Sequence, residues 1–372
     1  MNKSYIIRTY QDGDEKGIVE LLDEVFDGWP KFDLNCSPLE HWKWKHRDNP
    51  LGKSIIMIAE SDDKIIGCTH EIPIRLKIGD NIYYSSFGGD DAVHPDFRGL
   101  GIWKKMSLPS TKEFFMKSNI KVNYSVTENP ILVKHRKQSS YVMIFPRDII
   151  YYYRVGEIKL HMKMINKENK YVYSLGLRCL KTLNRYRNFY KNHRFSSPKK
   201  DFDISVVQSF DNRIYDFWSE INNYYDFIVE KKNDFLNWRY LDPRAGDYFI
   251  KVAHDDKGIL GYIVLRINKY LREYPSGYIV DLLTLPARID VAHALVVDAI
   301  KYFENQDVNI IKYQNIKNHI YEELFFSFQF IKSKNRPFFS FDLYPKENED
   351  LLKFKKSQSK KMHFSFGDYD PI

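Results

Sequence analysis

Between Asp90 and Met106 the chain passes from a strand-like end at Ala92-Val93, through Pro95 and a turn holding Gly99 and Gly101, into a helix-like run from Ile102. Two glycines at a strand-to-helix junction let the backbone turn sharply and leave its N–H groups bare, at the end of a helix where the dipole is positive. A loop of that kind can hold a pyrophosphate without cationic side chains. The spacing matches neither the G-x-x-x-x-G-K-S/T nor the G-x-G-x-x-G phosphate loop, so mononucleotide P-loop and dinucleotide folds are set aside.

The elements around this loop fix the order of the first half. Tyr5–Thr9 reads as a strand, Asp12-Gly13-Asp14 as a turn, and Ile18, Leu21, Leu22, Val25 and Phe26 fall at helical spacing. Ser54–Glu60 and Lys64–His70 read as a hairpin across Ser61-Asp62-Asp63, and Gly79-Asp80 turns the chain into the strand Ile82–Val93. A helix from about Gly101 to Lys117 and a strand from Lys121 to Val126 follow. A chain of 372 residues is long for one domain. An internal repeat points to duplication: Trp44 to Gly52, then a strand, a polar turn and Gly67, recurs as Trp238 to Gly246, a strand, the turn His254–Lys257 and Gly261. Val93-His94-Pro95 and its helix have a counterpart in Leu285-Pro286 and Asp290–Phe303. The expectation is an α/β chain of α+β mixed-sheet type, with domains at 1–150 and 201–345, a connector at 151–200 and a tail at 346–372 that docks on the body.

Aromatic residues, 16% of the chain, supply ample core and argue against disorder. Cys36, Cys68 and Cys179 are too few and too scattered for a disulfide framework or a zinc site, and no metal is expected. That usage suits a reducing, cytoplasmic setting; the chain opens without a signal-peptide pattern and has no apolar stretch of the roughly 18 residues a span needs. Arg154–Lys200 holds thirteen Lys/Arg against Glu157 and Glu168, so it carries +11 and the remainder of this +8 chain −3. Within it, 171–191 has the pattern of a basic amphipathic helix, interrupted by Gly176. It reads as a connector packing its apolar stripe on the domains, or as a point of peripheral contact with an anionic membrane.

The run from Val93 to Trp103 resembles motif A of the GNAT superfamily of N-acyltransferases, a strand ending V-x-P followed by Q/R-x-x-G-x-G/A opening a helix. Arg98, Gly99, Leu100, Gly101, Ile102 and Trp103 fill its six positions, with Trp103 departing from the usual Gly or Ala. The likeness takes in Tyr5–Phe26 and Asn129, covering most of 1–150. It implies that Arg98–Lys104, Ala92, Val93 and Asn129 bind an acyl-CoA, acetyl-CoA being the expected co-substrate. It also implies that amides near Ala92 and Val93, on a strand splayed from its neighbour, bind the acyl carbonyl. A base must free the amine's lone pair. Asp91 shares a face with Val93 and is the preferred base, whereas Asp90 points the other way unless Gly88-Gly89 bulge; Glu128 is the other carboxylate in reach. The family's acidic Tyr seven residues beyond the Asn is Arg136 here, leaving His135, Tyr141 or solvent to protonate the thiolate. In the second half Leu285–Ala292 has no glycine, so that half is expected to be a degenerate GNAT-like domain. Trp238 and Arg239 read as packing residues. The ending Gly367-Asp368-Tyr369-Asp370 is similar to tails of tandem GNAT-like proteins of cell-surface polysaccharide assembly, where Asp368 and Asp370 would either contact an amino-sugar acceptor or be solvated.

These features suit an N-acetyltransferase acting on a small primary amine, foremost an amino sugar or its nucleotide-linked form, with no nucleic-acid partner. A Fem-type aminoacyl transferase would explain the basic connector but should lack the Arg98–Trp103 loop. A non-catalytic module binding nucleic acid or lipid is the remaining class.

Overall fold

The computed structural model describes residues 4–109, 120–138, 142–144, 148–165, 170, 173–179, 181–182, 201–343, 354 and 361–369. In chain order the elements are β1 (Ile6–Thr9), α1 (Glu15–Phe26), α2 (Pro38–His46), β2 (Ile55–Ser61), β3 (Lys64–Ile78) and β4 (Asn81–Val93). After a 3-10 turn at Pro95–Phe97 come α3 (Ile102–Pro109), β5 (Val122–Thr127), α4 (Pro130–Gln138), β6 (Val142–Ile144), β7 (Ile149–Val155) and α5 (Ile158–Met164). The second half holds β8 (Asp203–Val206), α6 (Arg213–Tyr224), β9 (Phe227–Val229), α7 (Asn233–Leu241), β10 (Phe249–Asp255) and β11 (Gly258–Asn268). It ends with β12 (Ser276–Thr284), α8 (Ile289–Asn305), β13 (Ile310–Ile316), α9 (Glu322–Ser327), β14 (Ile331–Lys332) and β15 (Phe338–Leu343).

Two mixed sheets result. The first runs β1-β2-β3-β4-β5-β15-β6, with β9 also on β3; the second runs β14-β7-β13-β12-β11-β10-β8. Among the described strands, only β4/β5 in the first and β12/β13 in the second are parallel. The halves exchange strands: β7 leaves the first half to pair with β13, and β15 returns from the second to pair with β5. Each sheet is therefore completed by the other half of the chain.

Local chemistry explains the turns that set this order. Asp62 and Asp63 carry φ of 49° and 58°, the left-handed pair a two-residue hairpin requires. Helix α1 buries Ile18, Leu21 and Leu22 against the first sheet with Trp42, each contributing roughly 1.5–3 kcal/mol of apolar burial. Ser37 caps α2 by accepting from the Glu40 N–H, with Pro38 at its first turn. The repeated Trp44 and Trp238 meet each other: their rings stack at 5.0 Å, and each indole N–H donates to the other's carbonyl, at 3.0 and 3.2 Å. That reciprocal pair joins the two repeated segments of the sequence to each other. Trp238 is half-buried here and Arg239 fully so.

Residues 361–369 run through the core shared by both sheets, where Met362, Phe364, Phe366 and Tyr369 are buried. Asp368 is neither solvated nor placed to meet an acceptor. It is fully buried, paired with Lys231 at 2.5 Å, and it accepts from the Ser365 amide and hydroxyl. Asp370 lies outside the described residues. Of the basic segment 171–191 only 173–179 and 181–182 are described; Gly176 sits within the helical turn, Leu177 is buried and Lys181 donates to the Gly156 carbonyl at 2.8 Å. Among the described residues no helix is long and apolar enough to cross a membrane.

Candidate functional site

The β4–β5 pairing covers only Ser85–Phe87 against Val122–Tyr124, although β4 continues to Val93 and β5 to Thr127. Beyond Phe87 the two strands separate, and the opening lies directly before the glycine loop. The bulge is at Asp90-Asp91 rather than at Gly88-Gly89: Cys68 pairs with Ala92 and His70 with Gly89, so Thr69 faces two residues of β4. Asp90 takes a left-handed φ of 54°.

The bulge sends the two carboxylates to opposite faces. Asp90 enters the α1/α2 side, where it accepts from Trp29 Nε1–H at 2.8 Å, Lys45 Nζ at 2.5 Å and His46 Nε2 at 3.3 Å. Burial alone would raise its pKa, but Lys45 and His46 overcome that and hold it well below the ordinary carboxylate value. Asp91 lies on the α3 side. Its oxygens accept from the His70 amide at 3.2 Å and from Trp103 Nε1–H at 2.9 Å. Burial pushes its pKa up to about 6, with those two hydrogen bonds opposing the rise. Trp103, the odd residue of the glycine motif, is thus the partner of Asp91. Its ring also lies 6.3 Å from that of His135 on α4.

After the bulge, Arg98 follows the 3-10 turn and its Nε donates to the Val93 carbonyl at 3.2 Å. Gly99 and Gly101 have φ of 84° and 70°, and a Cβ on either would meet no atom of the described residues within 4 Å. Leu100 is exposed and Ile102 buried against Met106, Ala59 and Ile66, which anchors the first turn of α3. The first hydrogen bond of that helix runs from the Lys105 amide to the Gly101 carbonyl, so the amides just before it have no acceptor within the helix. Lys104 is exposed beside them. The arrangement is an open cradle of N–H groups.

The remaining candidates are more dispersed. Asn129 uses its side-chain oxygen to accept from the Ile131 and Leu132 amides at 2.9 and 3.4 Å, capping α4. Glu128 is exposed and interacts with Tyr151 of β7. His135 is exposed and Tyr141 lies outside the described residues. Below the strand opening, on the face of Asp91, Asn123 donates to Ser86 at 3.0 Å and to Glu71, and Ser86 donates to Glu71 at 3.1 Å. This buried polar floor was not legible in the sequence, because it joins residues of three strands that carry no motif.

The glycine cradle beside a splayed, bulged strand is the observation that sets the class, and residues 6–125 match the model of the acetyltransferase (GNAT) domain. Residues 6–125 are a GNAT domain. No curated protein sequence matches the chain. Among solved structures it is similar to a probable N-acyltransferase of Enterococcus faecalis V583 (11% identity, 91% of this chain and 73% of that one, TM-score 0.60). It is similar also to a GCN5-related N-acetyltransferase of Anabaena variabilis (10%, 91% and 72%, 0.56) and to the N-myristoyltransferase of Saccharomyces cerevisiae with bound myristoyl-CoA (12%, 92% and 80%, 0.58). Those likenesses show the fold, and their coverage extends across both halves. The GNAT model covers residues 6–125, and beyond them the likeness is one of fold.

The second GNAT-like half departs from the first at each point that matters. Gly67 pairs with Val93 and Gly261 with Thr284; two residues back along each partner strand stand Asp91 and Leu282. Helix α3 starts seven residues after Pro95, but α8 starts three after Pro286. The glycine loop is therefore missing from the second half, not merely replaced by Arg288, Ile289 and Val291. The end of α8 is closed by its own carboxylate, since Asp290 accepts from backbone amides at that turn and pairs with Arg288.

Proposed function

We propose that this chain transfers an acetyl group from acetyl-CoA to a small primary amine, with an amino sugar or nucleotide-linked amino sugar as the acceptor. The observation that carries the reading is the open cradle at Gly99–Lys104, two left-handed glycines with clear space in front of them, following the splayed strand. The cradle amides and Arg98 would hold the pyrophosphate. Asp91 would take the proton of the attacking amine: a carboxyl with a pKa of about 6 is ionised at neutral pH yet more basic than an ordinary aspartate. Of the Ala92 and Val93 amides, that of Ala92 is turned to Cys68 of β3, so the Val93 amide would receive the charge that develops on the acyl oxygen. The departing thiolate would take its proton from His135, Tyr141 or solvent, and Glu128 remains the second carboxylate. The polar floor of Glu71, Ser86 and Asn123 favours a short acyl group over a long apolar chain.

Calorimetric titration of the full chain with acetyl-CoA, followed by a screen of amines with thiol detection, tests this. Binding with thiol release on amino sugars is expected. Absence of CoA binding would favour a scaffold, and binding with thiol release only on peptides would move the acceptor to that class.

A further inference from the structure

Asp90 is a non-glycine residue held in a left-handed conformation inside a strand, a state that persists only where its surroundings enforce it. The enforcement is visible. Trp29 and Lys45 engage its two carboxylate oxygens, and His46 joins Lys45 on the second. The Asp90 carbonyl is held too, accepting from His70 Nδ1 at 3.1 Å and from the Cys68 thiol at 3.6 Å. The imidazoles are consistent with these roles. Burial keeps both neutral, with pKa values lowered to about 3 for His46 and about 4 for His70. His46 therefore donates from Nε2 while Nδ1 faces the Ser54 hydroxyl at 3.1 Å, and His70 donates from Nδ1 while Nε2 accepts from the Trp42 indole at 3.3 Å. Lys45 and His46 come from α2, so a helix with no residue in the cradle fixes the shape of β4 next to Asp91 and Ala92.

We infer that Asp90, clamped by Trp29, Lys45 and His46, is the positioning residue that aims the Val93 amide of β4 at the acyl carbonyl of the bound thioester. This rests on the acetyl-CoA reading. Asp90 itself moves no proton in it: its carboxylate is committed to three donors on the face away from Asp91. Because the clamp acts on the acyl carbonyl and not on the pyrophosphate, it should affect acetyl-CoA and leave free CoA untouched.

The test is calorimetry of the full chain, as wild type, Asp90→Gly, Lys45→Met and Lys45→Arg, with acetyl-CoA and with CoA. Glycine tolerates the left-handed angle without a clamp, so Asp90→Gly separates side-chain clamping from backbone strain. Wild type should prefer acetyl-CoA over CoA by roughly threefold to tenfold, the worth of one hydrogen bond. Asp90→Gly and Lys45→Met should keep the CoA affinity and lose the preference, and Lys45→Arg should restore it in part. Amide hydrogen exchange over residues 88–93 without ligand should be faster in Asp90→Gly. A preference retained in Asp90→Gly, or absent in wild type, overturns the inference while CoA binding leaves the acyltransferase reading standing. No CoA binding by wild type overturns both.

Discussion

Replacing Gly101 by Val tests the cradle most directly, and the structure separates its two effects. A Cβ at Gly101 meets no atom of the described residues within 4 Å, so these leave room for the side chain. What it lacks is the conformation: φ is 70°, and a β-branched residue held there costs roughly 1–3 kcal/mol. The ligand loses more. The clear space before the loop is where phosphate oxygens would lie, and isopropyl carbons there displace them from the amides. Two hydrogen bonds to a charged group, at about 1.5 kcal/mol each at the low end, amount to a loss on the order of 100-fold in Kd. Gly79 supplies the control, because it has a φ of 61°, nothing within 4 Å of its Cβ, and a place in the β3–β4 hairpin. Gly79→Val should lower the unfolding midpoint about as much as Gly101→Val and leave acetyl-CoA affinity unchanged. An unaltered dissociation constant in Gly101→Val would refute the cradle, and an equal loss in both variants would show that backbone strain, not the site, sets binding.

Asp91→Asn should lower turnover by roughly 10²-fold with little change in acetyl-CoA affinity, and the wild-type rate should rise as pH climbs through about 6, where Asp91 loses its proton. If Glu128→Gln has that effect and Asp91→Asn does not, the base is Glu128. Because burial raises the Asp91 pKa, the stability it contributes is complete below the unfolded value and lost as pH rises through about 6; wild type should therefore gain on Asp91→Asn in unfolding midpoint as the medium is acidified from pH 7 to 4. Lys231→Met should destabilise the chain by about 3–5 kcal/mol in denaturant unfolding, since it strands two buried carboxylates, Asp281 and Asp368. Calorimetry should give one CoA per chain, abolished by Gly101→Val and unaffected by Arg288→Ala, whose side chain is already paired with Asp201 and Asp290.

What could be read in the sequence was local. Glycines, turn aspartates and apolar periodicity place β2, β4 and α8 within a few residues of where they stand, whereas β3 starts at Lys64 as read but runs on to Ile78 rather than ending at His70; the repeat around Trp44 and Trp238 points to the pair that stacks. Alternation along β4 also puts Asp91 and Asp90 on opposite faces, although it does not reveal that a bulge opens between them. Contacts between distant segments were not legible. Nothing in the local pattern says that Trp103 donates to Asp91 or that Lys45 reaches Asp90, because both depend on how α3 and α2 lie on the sheet. The strand exchange escapes for the same reason: β7 and β15 have ordinary strand sequences, and the sheet each joins is decided by packing.

The second half keeps the shape of a ligand cleft and has filled it. Strands β12 and β13 pair only from Ser276 to Ile279 against Ile310 to Tyr313, then part as β4 and β5 do. Into that region comes the chain's own tail, with the turn at Phe366–Asp368 against β12 and β13 and Tyr369 donating to Gln314 of β13. Asp281 stands two residues behind Leu283 as Asp90 stands two behind Ala92, and it too is a clamped carboxylate. Its partners are Lys231 at 2.9 Å, Tyr262 at 2.9 Å, Tyr240 at 3.2 Å and His363 of the tail at 3.2 Å. The same fold position thus serves two ends. In the first half an aspartate at the bulge shapes a strand beside an open cradle; in the second it anchors the segment that closes the opening. A cleft that holds a buried ion pair and several aromatic rings cannot also admit a pantetheine arm without expelling them, and the shortened Pro286–Ile289 turn offers no cradle for its phosphates. The absent loop and the seated tail are separate features that point the same way, and under the proposed acyl-CoA reading both leave Gly99, Gly101 and Asp91 of the first half as the site to test.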